Sequence, residues 1–119
     1  MLNLDTHILL FALQDALTKH ERAILSRDRW GISSIVLWEI TKLHQKGRVN
    51  LSVDHPLMVK QLEQVMIWPL SSEVCLNLRL LDFATDPADE LIAATSLTYQ
   101  VPLVTRDAKL RSSKRITIV

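Results

Sequence analysis

DPADELIAATSLTYQVPLVTRD, residues Asp86 to Asp107, reads as a helix followed by a strand, with carboxylates where each begins or ends. Asp86-Pro87 marks a helix start, because proline suits the first helical position and aspartate suits the N-cap before it. The pattern stays amphipathic to Tyr99 and breaks at Pro102. It resumes as the apolar run Leu103-Val104-Thr105, which stops on Arg106 and Asp107. In open α/β sheets, ligands bind beyond the carboxyl ends of the strands, beside helix N-termini. Acids in both places suggest a site.

The chain's N-terminal end repeats the strand half of this arrangement. Leu2-Asn3-Leu4 reads as a short strand, and Asp5-Thr6 opens a helix through Ile8 to Leu13. Thr18 to Arg29 reads as a second amphipathic helix and Trp30-Gly31-Ile32 as a second strand. Ser33 or Ser34 then caps a helix that Gly47 ends. Pro56 starts a helix to about Met66, and Ile67-Trp68 forms a third strand or an extended link. Ser72 starts a helix through Leu81, and Ile116-Thr117-Ile118 completes the pattern as a fifth strand. Short β-rich pieces alternating with helices imply right-handed crossovers and a parallel sheet covered on both faces. With no repeat, linker or low-complexity tract, residues 1–119 are expected to form one α/β sandwich.

Composition narrows the function classes. Hydrophobic residues make up 48% and charged residues 23%, a globular balance. A net charge of +1 does not mark a nucleic-acid binder, so such a role must rest on local clusters. The two glycines, Gly31 and Gly47, exclude a Walker loop and a dinucleotide fingerprint. Cys75 is the single cysteine, which excludes a disulfide framework and a Cys-based zinc site and points to a reducing cytoplasm. Ile8 to Leu13 is too short to span a membrane, and Asp5 stands where a signal peptide would carry basic charge. Cys75 and the methionines are expected in the core.

Four acids carry the functional reading. Asp5 and Asp107 each follow an apolar strand, where an ordinary N-cap would also be aspartate. Asp89 falls at the third position of its helix but shares a face with Ile92, Ala93 and Ser96, the side that should meet the sheet. Asp86 is therefore assigned to the cap and Asp89 to the interior. Glu39 lies within a helix, with Ile35 and Leu43 four residues to either side. A carboxylate on such a stripe must be paired, for instance with Lys42, or protonated, or bound to a cation. Carboxylates converging at one end of a sheet repel unless a cation neutralises them, and an all-oxygen set suits Mg²⁺ or Mn²⁺ rather than zinc. Such a cation could activate water for in-line attack on a phosphodiester.

LDTH at the start, SSIVLWEITKLHQKGRVNL in the middle and DPADELIAATSLTYQVPLVTRD near the end together resemble the PIN domain, specifically a VapC-type toxin ribonuclease. The resemblance covers nearly the whole chain. It implies a five-stranded parallel sheet in the order 3-2-1-4-5. It also implies acidic site residues at Asp5, Glu39, Asp89 and Asp107, acting as catalytic and metal-holding groups, with Thr105 in support; Thr6, next to Asp5, and Asp86, at the helix cap, are expected to support the site as well. The activity implied is that of a Mg²⁺- or Mn²⁺-dependent endoribonuclease leaving a 5′-phosphate and a 3′-hydroxyl. Homodimers and a cognate antitoxin that neutralises the enzyme are implied as well. Family members often carry a histidine where this chain has Ala84, and an arginine where Glu90 follows Asp89.

Arg106, Lys109 and Arg111, with Lys114 and Arg115, form a basic cluster that would contact an RNA backbone or simply line a solvated edge. Two other function classes remain open at this level. A phosphoacceptor signalling domain also places aspartate at strand ends, although it would want paired acids after the first strand and a lysine where Arg106 stands. A catalytically silent module would keep the acids only for metal or RNA capture.

Overall fold

The computed structural model describes residues Met1–Val119. Strand β1 (Leu2–Leu4) leads into α1 (Thr6–Leu13) and α2 (Lys19–Leu25). Strand β2 (Trp30–Ser33) follows, then α3 (Ile35–Gln45), α4 (Pro56–Leu62) and β3 (Met66–Trp68). Helix α5 (Ser72–Leu76) tightens into a 3₁₀ turn at Asn77–Leu80. Helix α6 (Pro87–Tyr99), β4 (Leu103–Val104) and α7 (Ala108–Arg111) complete the chain.

The sheet differs from expectation. It has four strands in the order β3-β2-β1-β4, all parallel, rather than five strands in the order 3-2-1-4-5. Ile116-Thr117-Ile118 reaches the sheet at a single parallel bridge, Leu103 to Ile118. Leu103 makes both bonds there, donating to the Thr117 carbonyl at 2.8 Å and accepting from Val119 N–H at 3.2 Å. Beyond it the edge belongs to a side chain. Arg111 Nη1 donates to the Thr105 carbonyl at 3.0 Å, just past the end of β4. β4 is two residues long, and the C-terminal segment meets it at one bridge rather than along a ladder.

Other boundaries move for local reasons. Ser34 has helical backbone angles and makes no side-chain cap; Ser33 Oγ instead accepts from Ile35 N–H at 3.3 Å. Helix α2 stops at Leu25 and α4 at Leu62, short of Arg29 and Met66. The expected Ser72–Leu81 helix splits between α5 and the 3₁₀ turn. Cys75 is exposed rather than in the core.

Packing fixes where the strands end. Leu2, Leu4, Ile32, Leu103 and Val104 join Ile8, Leu9, Val36, Ile40 and Ile92 in one buried cluster, clamping β1 and its neighbours between helices. Gly31 is required by close approach, since a Cβ there would sit 2.4 Å from the Trp68 indole. Trp68 in turn stacks on Tyr99 with ring centroids 5.4 Å apart. Gln100 takes a left-handed conformation (φ 54°), ends α6 and turns the chain into Pro102.

Candidate metal centre

Strand ends and a helix start bring the acids together. Asp5 is the residue after β1, and Thr105 the residue after the neighbouring β4. Helix α6 precedes β4 and so starts at the end of the sheet where the strands finish, which places Asp89 there. The Asn3 amide sets its height: buried within β1, it donates to the Ile92 carbonyl at 3.0 Å and to Ser96 Oγ at 2.9 Å. Glu39 arrives from α3, whose buried Val36 and Ile40 hold that helix against the core. Carboxylate oxygens of Asp5, Glu39 and Asp89 all lie within 4.8 Å of one another. That spacing suits one cation held by several oxygens at about 2.0–2.6 Å.

Hydroxyl and amide donors aim two of the three carboxylates. Asp5 accepts from Thr6 N–H on Oδ1 at 2.8 Å and from the Thr105 hydroxyl on Oδ2 at 2.6 Å. Thr105 Oγ1 also accepts from Asp107 N–H at 3.0 Å, so one side chain organises two of the acidic positions. Glu39 Oε1 accepts from the Thr6 hydroxyl. Asp5 is both the cap of α1 and a member of the cluster, so the two readings of this residue coexist.

The remaining acids differ in their commitments. Asp107 is exposed and caps α7 by accepting from Leu110 N–H at 3.0 Å. It lines the same cleft of about 440 Å³ as Asp5, Glu39 and Asp89, but stands outside the tight trio. Asp86 occupies the N-cap position of α6 without making the expected side-chain cap, and it too faces this cleft. Glu90 accepts from Thr85 N–H at 3.1 Å and so ties down the preceding turn.

The electrostatics record the crowding. Burial pushes the Asp5 carboxyl above the ordinary range, with Thr105 and Thr6 pulling it back and Asp107 adding repulsion. Burial also raises Glu39, opposed by the Thr6 hydroxyl and reinforced by the charge of Asp5. Asp89 is pushed up to about 7, first by burial and then by the charges of Asp5, Glu39 and Asp107. None of the three is ion-paired to a lysine or arginine, so Lys42 does not partner Glu39. Like charges held this close require protons or a cation, and an all-carboxylate donor set fits a hard divalent ion.

The basic residues expected to face RNA are occupied within the chain. Arg106 donates from Nε and Nη2 to the two carboxylate oxygens of Glu21, both at 2.8 Å, and its guanidinium lies 3.9 Å from the centre of the Phe11 ring. Lys109 Nζ donates to the Ala84 carbonyl at 2.8 Å, and Arg111 serves the sheet edge. The Glu21–Arg106 pair was not anticipated from the sequence, where Thr18 to Glu21 reads only as a helix start. Asn3 is a further site-building residue, and its one signal in the sequence is a polar side chain between Leu2 and Leu4 in a buried strand.

Comparison with known proteins agrees with this architecture. Residues 3–115 match the PIN domain family. The chain is 31% identical over 96 residues to Ribonuclease VapC22 of Mycobacterium tuberculosis, a match covering 78% of this chain and 74% of that protein. Its fold resembles VapBC2 from Rickettsia felis bound to a promoter DNA fragment, with a TM-score of 0.76 at 18% identity, covering 100% of this chain and 98% of the other. It also resembles a toxin–antitoxin complex from Klebsiella pneumoniae, with a TM-score of 0.74 at 17% identity and coverage of 100% and 97%.

Proposed function

Because the chain belongs to the PIN-domain family, with VapC-type toxins as its relatives, we propose that it is a metal-dependent endoribonuclease and the toxin of a toxin–antitoxin pair. The observation that carries this is the trio of Asp5, Glu39 and Asp89, gathered within 4.8 Å with no cationic side chain to balance it. Residues 1–119 act as one domain in this reading, working in the cytoplasm on RNA.

Asp5, Asp89 and Asp107 would hold Mg²⁺ or Mn²⁺, with Glu39 doing so directly or through water. When bound, such an ion neutralises the carboxylates, makes a water acidic enough to deprotonate near neutral pH and stabilises charge on the phosphodiester. Thr105 fixes the Asp5 carboxylate from one side while Thr6 N–H fixes it from the other, so its orientation is set before substrate arrives. The Thr6 hydroxyl binds Glu39 Oε1 and leaves Oε2 for a cation or for the proton of a water. Asp86 and Asp107 line the same cleft beside the trio. Lys109 and Arg111, on the short helix that Asp107 caps, supply RNA-backbone contact with the donors their internal bonds leave free.

A cognate antitoxin and a homodimer complete the reading. Of the solved structures that share its fold, the one from Klebsiella pneumoniae is a toxin–antitoxin complex, and the one from Rickettsia felis is VapBC2 bound to promoter DNA. This chain exposes Trp38, Leu57, Leu76, Leu80 and Tyr99, apolar surface of the sort that partners cover. The test is cleavage of mixed RNAs with Mg²⁺ or Mn²⁺ by the wild-type protein and by Asp5→Asn. Equal cleavage by the two would reject the catalytic assignment.

A further inference from the structure

Arg106 stands in an unusual place. In sequence it lies between Thr105, which holds Asp5, and Asp107. In space it lines the same cleft as Asp5, Glu39 and Asp89. A guanidinium is an effective partner for carboxylates, able to bind them bidentately. Its charge is nevertheless spent elsewhere. Both oxygens of Glu21 accept from it, the Ala16 carbonyl accepts from Nη2 at 3.0 Å, and the Phe11 ring lies beneath it. Its ion pair is with Glu21, and none is made with Asp5, Glu39 or Asp89.

Glu21 is built to hold its end of this contact. It sits at the third position of α2 in a reciprocal capping box, accepting from Thr18 N–H at 2.8 Å while its own N–H donates to Thr18 Oγ1 at 3.1 Å. Its side chain is 11% exposed, whereas the Arg106 side chain is 40% exposed and has a long, flexible stem. The acid is the fixed member and the arginine the movable one.

We propose that Glu21 is a positioning residue that holds the Arg106 guanidinium at the wall of the cleft and off its carboxylates, leaving Asp5, Glu39 and Asp89 open to a dication. Without its charge, Arg106 turns toward the cluster and competes with the metal, an internal inhibitor held in check by one carboxylate. This rests on the metal-binding reading of the cluster.

Glu21→Gln tests it cleanly, because glutamine still closes a capping box while removing the charge. Mn²⁺ affinity measured by calorimetry should fall about tenfold in Glu21→Gln, in the range seen when groups supporting metal ligands are altered. Arg106→Gln alone should bind Mn²⁺ as the wild type does, and Glu21→Gln combined with Arg106→Gln should regain that affinity. A purely structural role for the pair predicts instead that both single variants weaken binding and that the double variant is no better. A crystal structure of metal-free Glu21→Gln should place the guanidinium within hydrogen-bond distance of a cluster carboxylate. Unchanged affinity in Glu21→Gln, or no recovery in the double variant, overturns the proposal. If the wild type takes up no Mn²⁺, the metal reading fails, and the position of Arg106 in that crystal still decides the proposal.

Discussion

Glu21 and Asp89 occupy the same position in two helices, the third residue of α2 and of α6, and their neighbours treat them in opposite ways. Glu21 is met by the Arg106 guanidinium, which, with the Thr18 contacts, holds its carboxyl down at about 2. Asp89 is met by Asp5 and Glu39, which add to the cost of burial and push it up to about 7. The local sequence context is alike: an N-cap residue with a hydroxyl or carboxylate, then an acid three residues on. What differs is the partner that the tertiary fold delivers. One acid is structurally satisfied, and the other is left with a deficit that only a proton or a cation can make good. That deficit is the strongest physical sign of function in the molecule.

The contrast can be broken most forcefully at the cluster itself. Asp5→Asn should lower RNA cleavage on the order of a thousand-fold while the fold persists, since the amide keeps an acceptor for Thr6 N–H and loses the charge. Steady-state cleavage together with circular dichroism checks both halves. Thr105→Val removes the donor to Asp5 Oδ2 and should weaken Mn²⁺ binding about tenfold, read by calorimetry.

Stability should separate the two acids by sign. Between the ordinary aspartate value and about 7, folded Asp89 keeps a proton that the unfolded chain has released, so metal-free stability falls as pH rises through that window. Asp89→Asn should therefore stabilise the metal-free protein at pH near 8 by about 1–2 kcal/mol, an advantage that fades near pH 4. Glu21 runs the other way: its contribution is present above 4.5 and is lost as pH falls toward about 2. Glu21→Gln should cost about 1 kcal/mol at neutral pH, kept small because Arg106 is 40% exposed. Urea denaturation across pH checks both variants; a destabilised Asp89→Asn at pH 8 would remove the distinction.

How much of this could be read from the chain follows the same division between local and distant. Asp5, Asp89 and Asp107 were legible because each stands at a strand end or helix start, and β-rich runs alternating with helices announce those junctions. Glu39 was legible as a carboxylate on an apolar stripe. Ile116-Thr117-Ile118 has the composition of a fifth strand, whereas pairing depends on the distant edge of β4, which the segment meets at a single bridge. The Glu21–Arg106 pair spans 85 residues, and no local pattern encodes it. Asp86 was read as a cap by position, yet its side chain makes no such bond and faces the cleft instead.

Crystals soaked in Mn²⁺ and measured for anomalous scattering address the central claim most directly. The expected result is a peak among the carboxylates of Asp5, Glu39 and Asp89, about 2.0–2.4 Å from at least two of their oxygens. An anomalous map without a peak there, from crystals in which the three side chains keep their mutual spacing, would contradict the account.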